Sequence, residues 1–303
     1  MAYIVKYIKE FTDHDKIKAV CAKDTALGYK VKVFASPKKQ CDIAMENVTF
    51  EYVDKPMEKA VMAAKELYAE KCQLYLKRAI YSVDPREYDF AEKIKELDYE
   101  EAQELCVNGF NGIKYYIFDL AKRNSVRVEV LSLHDSEPTV IKEVSGVGEK
   151  MIKSMSKDTD INVVTLTEVP DVKGLVYHIF KVLSDEDIYV DSVLLPAASR
   201  RMQDISFCIK GADKDAVKHL LESHKKQFGF SDIIINEDVA KVSVMGAGFH
   251  TQKGVAAKLL EILYENDINI TTIFTSEVKI SMVVDKCNAD KAIRAIHKKM
   301  INQ

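Results

Sequence analysis

The sequence predicts an α/β region followed by two α+β units, and three observations carry that prediction. The second half holds an internal repeat at a spacing of 80 residues, with Lys173-Gly174 opposite Lys253-Gly254, Leu183 opposite Leu263 and Asp187-Ile188 opposite Asp267-Ile268. Each copy passes from an alternating β-branched stretch through a glycine loop into apolar residues at helical spacing. The first half mixes strand-like and helix-like stretches.

In the first half, Ala2 to Ile8 and Lys30 to Ala35 read as strands. Between them Asp13 to Ala26 reads as a helix ended by Gly28, which suits a position needing positive φ. A long helix is expected from Lys55 to Lys77, with Pro56 in its first turn and an Ala- and Glu-rich run behind it. Tyr81 to Phe90 is a turn-rich link around Asp84-Pro85-Arg86. Asp98 to Val107 and Gly112 to Lys122 read as helices, Arg127 to Leu131 as a strand, and His134 to Thr139 as a surface connection. Ser145 to Asp160, polar and holding Gly146 and Gly148, links the halves; its mixed charges suit a solvated linker better than a binding tail.

In the repeat, Asn162 to Thr167 and Lys241 to Met245 have the period of half-buried strands, with Val164 opposite Val244. Val176, Ile179, Phe180 and Leu183 after Gly174, and Val255, Leu259, Ile262 and Leu263 after Gly254, form the inward face of a helix. Two strand-like runs follow in each unit: Tyr189 to Leu195 with Ile205 to Ile209, and Asn269 to Thr275 with Lys279 to Val284. Second helices close the units at Lys214 to Lys226 and Ala289 to Met300, and Ser231 to Ile235 adds a strand to the first. This order is the split βαβ plan of ferredoxin-like sandwiches.

Composition removes several functions. The 44 Lys and Arg against 47 Asp and Glu give a net charge of −3, which offers no basic field for nucleic acid. Apolar clusters such as Gly174-Leu-Val-Tyr-His-Ile-Phe180 stop far short of the roughly 20 residues of a membrane span. Charges interrupt the opening Met-Ala-Tyr-Ile-Val-Lys-Tyr-Ile-Lys-Glu before an apolar leader is complete, so the cytoplasm is the expected location. Cys21, Cys41, Cys72, Cys106, Cys208 and Cys287 form no Cys-x-x-Cys pair, which fits reduced thiols and no shared metal.

From about Tyr81 onward the chain resembles the carboxy-terminal part of aspartokinases, and its repeat resembles their tandem ACT domains. The match is closest in Lys-Val-Ser-Val-Met-Gly-Ala-Gly-Phe-His from Lys241, Gly254-Val-Ala-Ala-Lys258, Asp267-Ile-Asn-Ile270 and Thr275-Ser-Glu-Val-Lys-Ile-Ser281. Leu97-Asp-Tyr-Glu-Glu101 and Asp135-Ser-Glu-Pro138 resemble the segment leading out of that family's kinase core, and Asp84-Pro85-Arg86 a turn near its nucleotide pocket. The resemblance implies a truncated amino-acid-kinase-like region at 1–141 and a linker with a candidate strand at 142–160. ACT units would follow at 161–236 and 237–303.

The kinase half departs from the pattern. Phosphoryl transfer needs glycine loops around the phosphates, a cation and ligands for Mg²⁺. The family opens with Lys-Phe-Gly-Gly-Thr-Ser, whereas this chain has Lys6-Tyr7-Ile8-Lys9-Glu10-Phe11, so Lys6 is at most a remnant and otherwise a solvated lysine on an edge strand. Tyr75, Leu76 and Arg78 replace a threonine and aspartates, and Lys114-Tyr115-Tyr116 replaces His-Pro-Arg. Eleven glycines in 303 residues are about half the usual share of roughly 7%. A large internal deletion between Phe34 and Tyr81 is expected.

An amino-acid effector needs free backbone N–H groups for its carboxylate and an acid for its ammonium. A strand, glycine loop and helix supply the first, and Gly174 and Gly254 allow close approach. By resemblance the effector site comprises Asp171, Gly174, Leu175, Val176, Val190 and Asp191 in the first unit, with Asp191 holding the ammonium; Thr271 takes its place in the second. Gly254, Thr275, Ser276 and Glu277 are the second unit's candidates. Read without the resemblance, the glycines are tight turns, Asp191 faces solvent and Asp171 caps the next helix. Lys173 and Lys253 stand where the family has proline, and Leu195-Pro196-Ala197 where it has polar side chains. His178 and His250 lack a partner at a telling spacing and receive no catalytic role.

The resemblance implies a regulatory protein of lysine, threonine and methionine biosynthesis that binds lysine or threonine at ACT interfaces without kinase activity or cofactor. It would pair as a homodimer through its ACT units or join a complete aspartokinase. The alternative is an active aspartate kinase using MgATP to convert L-aspartate to 4-phospho-L-aspartate. A decayed remnant, a third reading, predicts a loosely folded first half.

Overall fold

The computed structural model describes residues 2–9, 13–39, 43–107, 110, 112–134, 137–144, 152–199, 201–246, 249 and 253–301. Of the residues singled out in the sequence, Glu10, Phe11, Cys41, Asp135, Ser136, Gly146, Gly148, Ala247, Gly248 and His250 lie outside this set.

The first half forms one seven-stranded sheet from β1 (Tyr3–Ile8), β2 (Lys30–Ala35), β3 (Val48–Tyr52), β4 (Lys71–Leu76), β5 (Glu96–Leu97), β6 (Val128–Ser132) and β7 (Thr139–Ile141), in the order β3-β2-β1-β4-β6-β7-β5. The five strands from β3 to β6 are parallel, and β7 runs antiparallel to β6. Parallel strands buried on both faces need helices on both. Val5, Tyr7, Cys72 and Leu74 pack against α2 (Pro56–Glu66), α3 (Tyr99–Val107) and α4 (Tyr116–Arg123), while α1 (His14–Thr25) covers Ile8, Val31 and Val33 with Ile17 and Cys21.

The helix expected from Lys55 to Lys77 is two elements. It stops at Glu66 because Tyr68 takes a left-handed φ of 49°, and residues 71–76 form the strand beside β1. The Ala-rich run through Ala64 precedes that break and carries the helical reading past it, but Cys72, Gln73, Leu74, Tyr75 and Leu76 are all buried, which only a doubly covered strand allows here. The helix expected from Gly112 begins later, at Tyr116.

The second half forms two further sheets. Strands β9 (Ile161–Pro170), β10 (Val190–Leu194), β11 (Met202–Lys210) and β12 (Asp232–Asn236) pair in the order β10-β11-β9-β12, backed by α5 (Leu175–Asp185) and α6 (Lys214–Phe228). Strands β13 (Val239–Met245), β14 (Ile270–Thr275) and β15 (Lys279–Asp285), backed by α7 (Val255–Glu265) and α8 (Ala289–Met300), take their fourth strand, β8 (Ser154–Asp158), from the polar link. The repeat extends to the ends of α5 and α7. Asp187 and Asp267 both adopt left-handed φ, and the N–H groups of Ile188 and Ile268 each return 3.0 Å to Leu183 and Leu263.

The first half and the second unit share packing. Val83 and Tyr88 lie in the second unit's core, Ser82 Oγ meets His297 Nε2 at 2.9 Å, and Tyr88 donates to Asp290. Among the described residues no helix is long and apolar enough to cross a membrane, and the described cysteines are free.

Asp98 and Glu101 open α3 with a reciprocal capping box: Glu101 N–H donates 2.7 Å to Asp98 Oδ1 and Asp98 N–H 2.9 Å to Glu101 Oε2. Burial, then the neighbouring Glu101 carboxylate, pushes Asp98 up to about 6. The folded state therefore holds this proton more tightly than the unfolded chain, and the stability it contributes is lost as pH rises through 6. Asp98→Asn keeps an acceptor for the cap and removes the titration. In urea unfolding, its stability relative to the unsubstituted chain is expected to rise by about 1 kcal/mol between roughly pH 4 and 6, after allowance for the half-exposed carboxyl.

Candidate functional site

The two helix-opening glycines have the same geometry. Gly174 (φ 87°) and Gly254 (φ 88°) are left-handed, and among the described residues no atom beyond their immediate chain neighbours lies within 4 Å of where a Cβ would stand at either. Neither helix has a side-chain cap, so Asp171 does not serve that purpose; it is exposed, its N–H bonded to the Arg201 carbonyl. Leu175 and Val176 are half-buried in the first turn of α5. The loop is thus an open place where backbone donors can face a ligand.

Strand register decides which residues can join it. Asp191 pairs with Cys208, which pairs with Val163 near the start of β9, whereas Gly174 lies beyond Pro170 at its end. Seven residues of strand separate the two levels by about 20 Å. Within one chain, then, Val190 and Asp191 are not brought to the Gly174 loop. The second unit differs. Thr275 pairs with Ile280, and Met245 with Lys279, so the exposed Thr275, Ser276 and Glu277 share the sheet end with the Gly254 loop.

Asp191 instead faces a cleft of about 340 Å³ between the two units. A bulge at Ser192, whose φ is 56°, turns it there. Its Oδ2 accepts from Lys241 Nζ, and its Oδ1 from Ser192 Oγ at 3.1 Å. Burial opposes ionisation of Asp191, but the Lys241 ammonium outweighs it and holds the carboxyl below its ordinary range. A second bridge joins Lys210 on β11 to Asp158 on β8 at 2.8 Å. Asp191 is therefore not the solvent-facing residue of the unaided reading. Lys241 was missed; its one signal in sequence is a charged residue inside a strand that is otherwise apolar except for Ser243, β13.

A cleft of about 390 Å³ lies at the carboxyl ends of β1 and β4, where open α/β sheets bind ligands, and is closed on its other side by Met155, Ser156 and Lys157 of β8 and by Ile293 of α8. Asp84-Pro85-Arg86 lines it, but Arg86 folds back onto Asp84 and, with Arg78, holds that carboxyl below its ordinary range. Lys6 does not reach this cleft, and neither the phosphate role nor the solvated edge position applies to it. It sits inside β1, an interior strand flanked by β2 and β4, fully buried, with Nζ 2.5 Å from Asp24 Oδ2 and 2.5 Å from Gln73 Oε1. Gln73 passes the network on to Glu129 at 2.9 Å. Gly112, the glycine lining the cleft, has its Cβ position filled by Phe110 and Leu76 at 2.9–3.0 Å. The described residues therefore do not fit MgATP as a glycine-lined phosphate cradle with a free lysine does.

The ACT domain family matches residues 242–300. An aspartokinase of Bacillus sp. (strain MGA3) is 31% identical over 241 residues, covering 78% of this chain and 59% of that protein. The chain spans 58–59% of the length of the curated relatives it matches. Aspartate kinase of Clostridium acetobutylicum shares the fold with a TM-score of 0.76 at 16% identity, over 98% of this chain and 70% of that one. Aspartokinase III of E. coli, in a complex with lysine and aspartate, gives a TM-score of 0.66 at 16% identity over 99% and 69%.

Proposed function

Because the chain belongs to the aspartokinase family and carries ACT domains, we propose that it is a regulatory chain of aspartate-derived amino-acid biosynthesis that binds lysine or threonine. The observation that carries this is the pair of left-handed glycines opening α5 and α7, each with empty space beside its Cα and uncapped helix donors beyond. The limits we propose are a reduced kinase-like region at 1–141, a linker at 142–160 that lends β8, and ACT units at 161–236 and 237–303. Burial of Lys6 and the filled Cβ position of Gly112 in the cleft support a first half that scaffolds without phosphoryl transfer.

The effector site proposed for the first unit takes its N–H groups from the Gly174 loop of one copy and Asp191 from a second. The exposed β10 edge, with Tyr189, Val193 and Leu194, and exposed Tyr177 on α5 suit pairing of two copies side by side. A second reading, an aspartate kinase, is favoured by the cleft at the ends of β1 and β4.

Thermal unfolding of the full chain with lysine, threonine, methionine, aspartate or MgATP at millimolar concentration separates the two. A ligand present at about 100 times its Kd adds about 2.7 kcal/mol of stability. A shift with lysine or threonine and none with MgATP is expected; a shift with MgATP and aspartate alone would overturn the regulatory reading.

A further inference from the structure

We propose that Lys241 is a tethered competitor for the Asp191 carboxylate, so that an effector's ammonium must displace it and thereby open an ion-pair bridge between the ACT units. This rests on the reading of Asp191 as the effector's ammonium partner. Both Asp191 oxygens are already engaged, one by Lys241 and one by Ser192. A second ammonium there would bring two like charges within a few ångströms at a half-buried carboxylate, which is unfavourable. Lys241 is 9% exposed and comes from β13, while Asp191 comes from β10 of the other unit, so their pair is a bond between units. If it opens, the junction retains Lys210 with Asp158 and the small apolar cluster of Ile161, Val163, Cys208, Val239 and Val283.

The bridge therefore converts occupancy of Asp191 into a looser junction between units. The second unit has no equivalent, since Thr271 stands where Asp191 does. Competition of this kind lowers the apparent affinity by the fraction of molecules in which the carboxylate is free. It also explains why a cleft lies beside an ion pair that is already closed: the space accommodates the lysine once it is expelled.

The test is calorimetric titration of L-lysine and L-threonine into the full chain, its Lys241→Gln and Lys241→Met variants, and Asp191→Asn. Both Lys241 variants leave the acid without its cation and are expected to bind the effector about tenfold more tightly, while Asp191→Asn loses binding. A wild-type measurement stands beside these in case a variant does not fold. Pulse acetylation read by mass spectrometry is expected to modify Lys241 faster once the effector saturates the chain. Equal or weaker binding by the Lys241 variants, or unchanged acetylation of Lys241 at saturation, overturns the proposal and leaves the amino-acid reading standing. Absence of binding to every form, including those with the acid vacated, overturns both.

Discussion

Replacing Lys6 by methionine is expected to cost about 3–5 kcal/mol of stability, because it strands the buried Asp24 carboxylate and leaves the Gln73 amide oxygen only the Tyr75 hydroxyl as donor. Lys6 has no exposed surface, and its ammonium is the counter-charge of Asp24, whose side chain is 11% exposed. It also donates to Gln73 and lies 5.1 Å from the Tyr75 ring centre. Against a typical total of about 5–15 kcal/mol, the loss is a large fraction of what holds a domain folded. Asp24→Asn is expected to cost a similar amount by leaving the ammonium unpaired. The double variant Lys6→Met with Asp24→Leu should recover most of the loss, since removing both charges ends the desolvation penalty that either alone leaves behind. Denaturant midpoints measure all three. A phosphate-binding lysine behaves in the opposite way: its loss spares stability and abolishes MgATP binding, so a stable Lys6→Met chain would reopen the kinase reading.

The same residue shows where sequence stops being informative. That Lys6 lies in a strand follows from the alternation around it, but whether that strand is central or at an edge depends on crossover connections between β1, β2 and β4, and periodicity carries no record of those. The two-residue β5 and three-residue β7 are too short to show a period at all. β4 was hidden by the helix-forming run that precedes it. The second half was legible because each of its helices has one wet and one dry face: Val255, Leu259, Ile262 and Leu263, inward by spacing, are all buried, as are Ala292, Ile293 and Ile296. In α5, Ile179 and Leu183 are buried while Val176 and Phe180 are only half so, which leaves apolar surface beside an open sheet edge. Of the candidate site, the glycines could be placed from their repeat. The partner of Asp191 could not, since a pair 50 residues apart on different sheets leaves no local signature.

That register also yields the sharpest test of how the proposed effector site is assembled. If the Gly174 loop and Asp191 lie about 20 Å apart in one chain, two copies must complete the site between them. Gly174→Val and Asp191→Asn are each expected to abolish effector binding when pure. The first acts through the backbone, since the space beside Gly174 is open but a β-branched residue resists a φ of 87°, at a cost of about 1–2 kcal/mol that leaves the fold intact. The second removes the charge that the ammonium needs. Co-expressed with different tags, the two variants form mixed dimers that hold one site with a native loop and a native acid and one site with neither. Random pairing makes about half the dimers mixed, so about one quarter of the sites should bind, at native affinity. Calorimetric stoichiometry reads that fraction directly, with sedimentation confirming the dimer. If the site lay within one chain, mixing would restore nothing, because every chain in the mixture carries one broken half; complementation between two silent variants arises only when the ligand bridges copies.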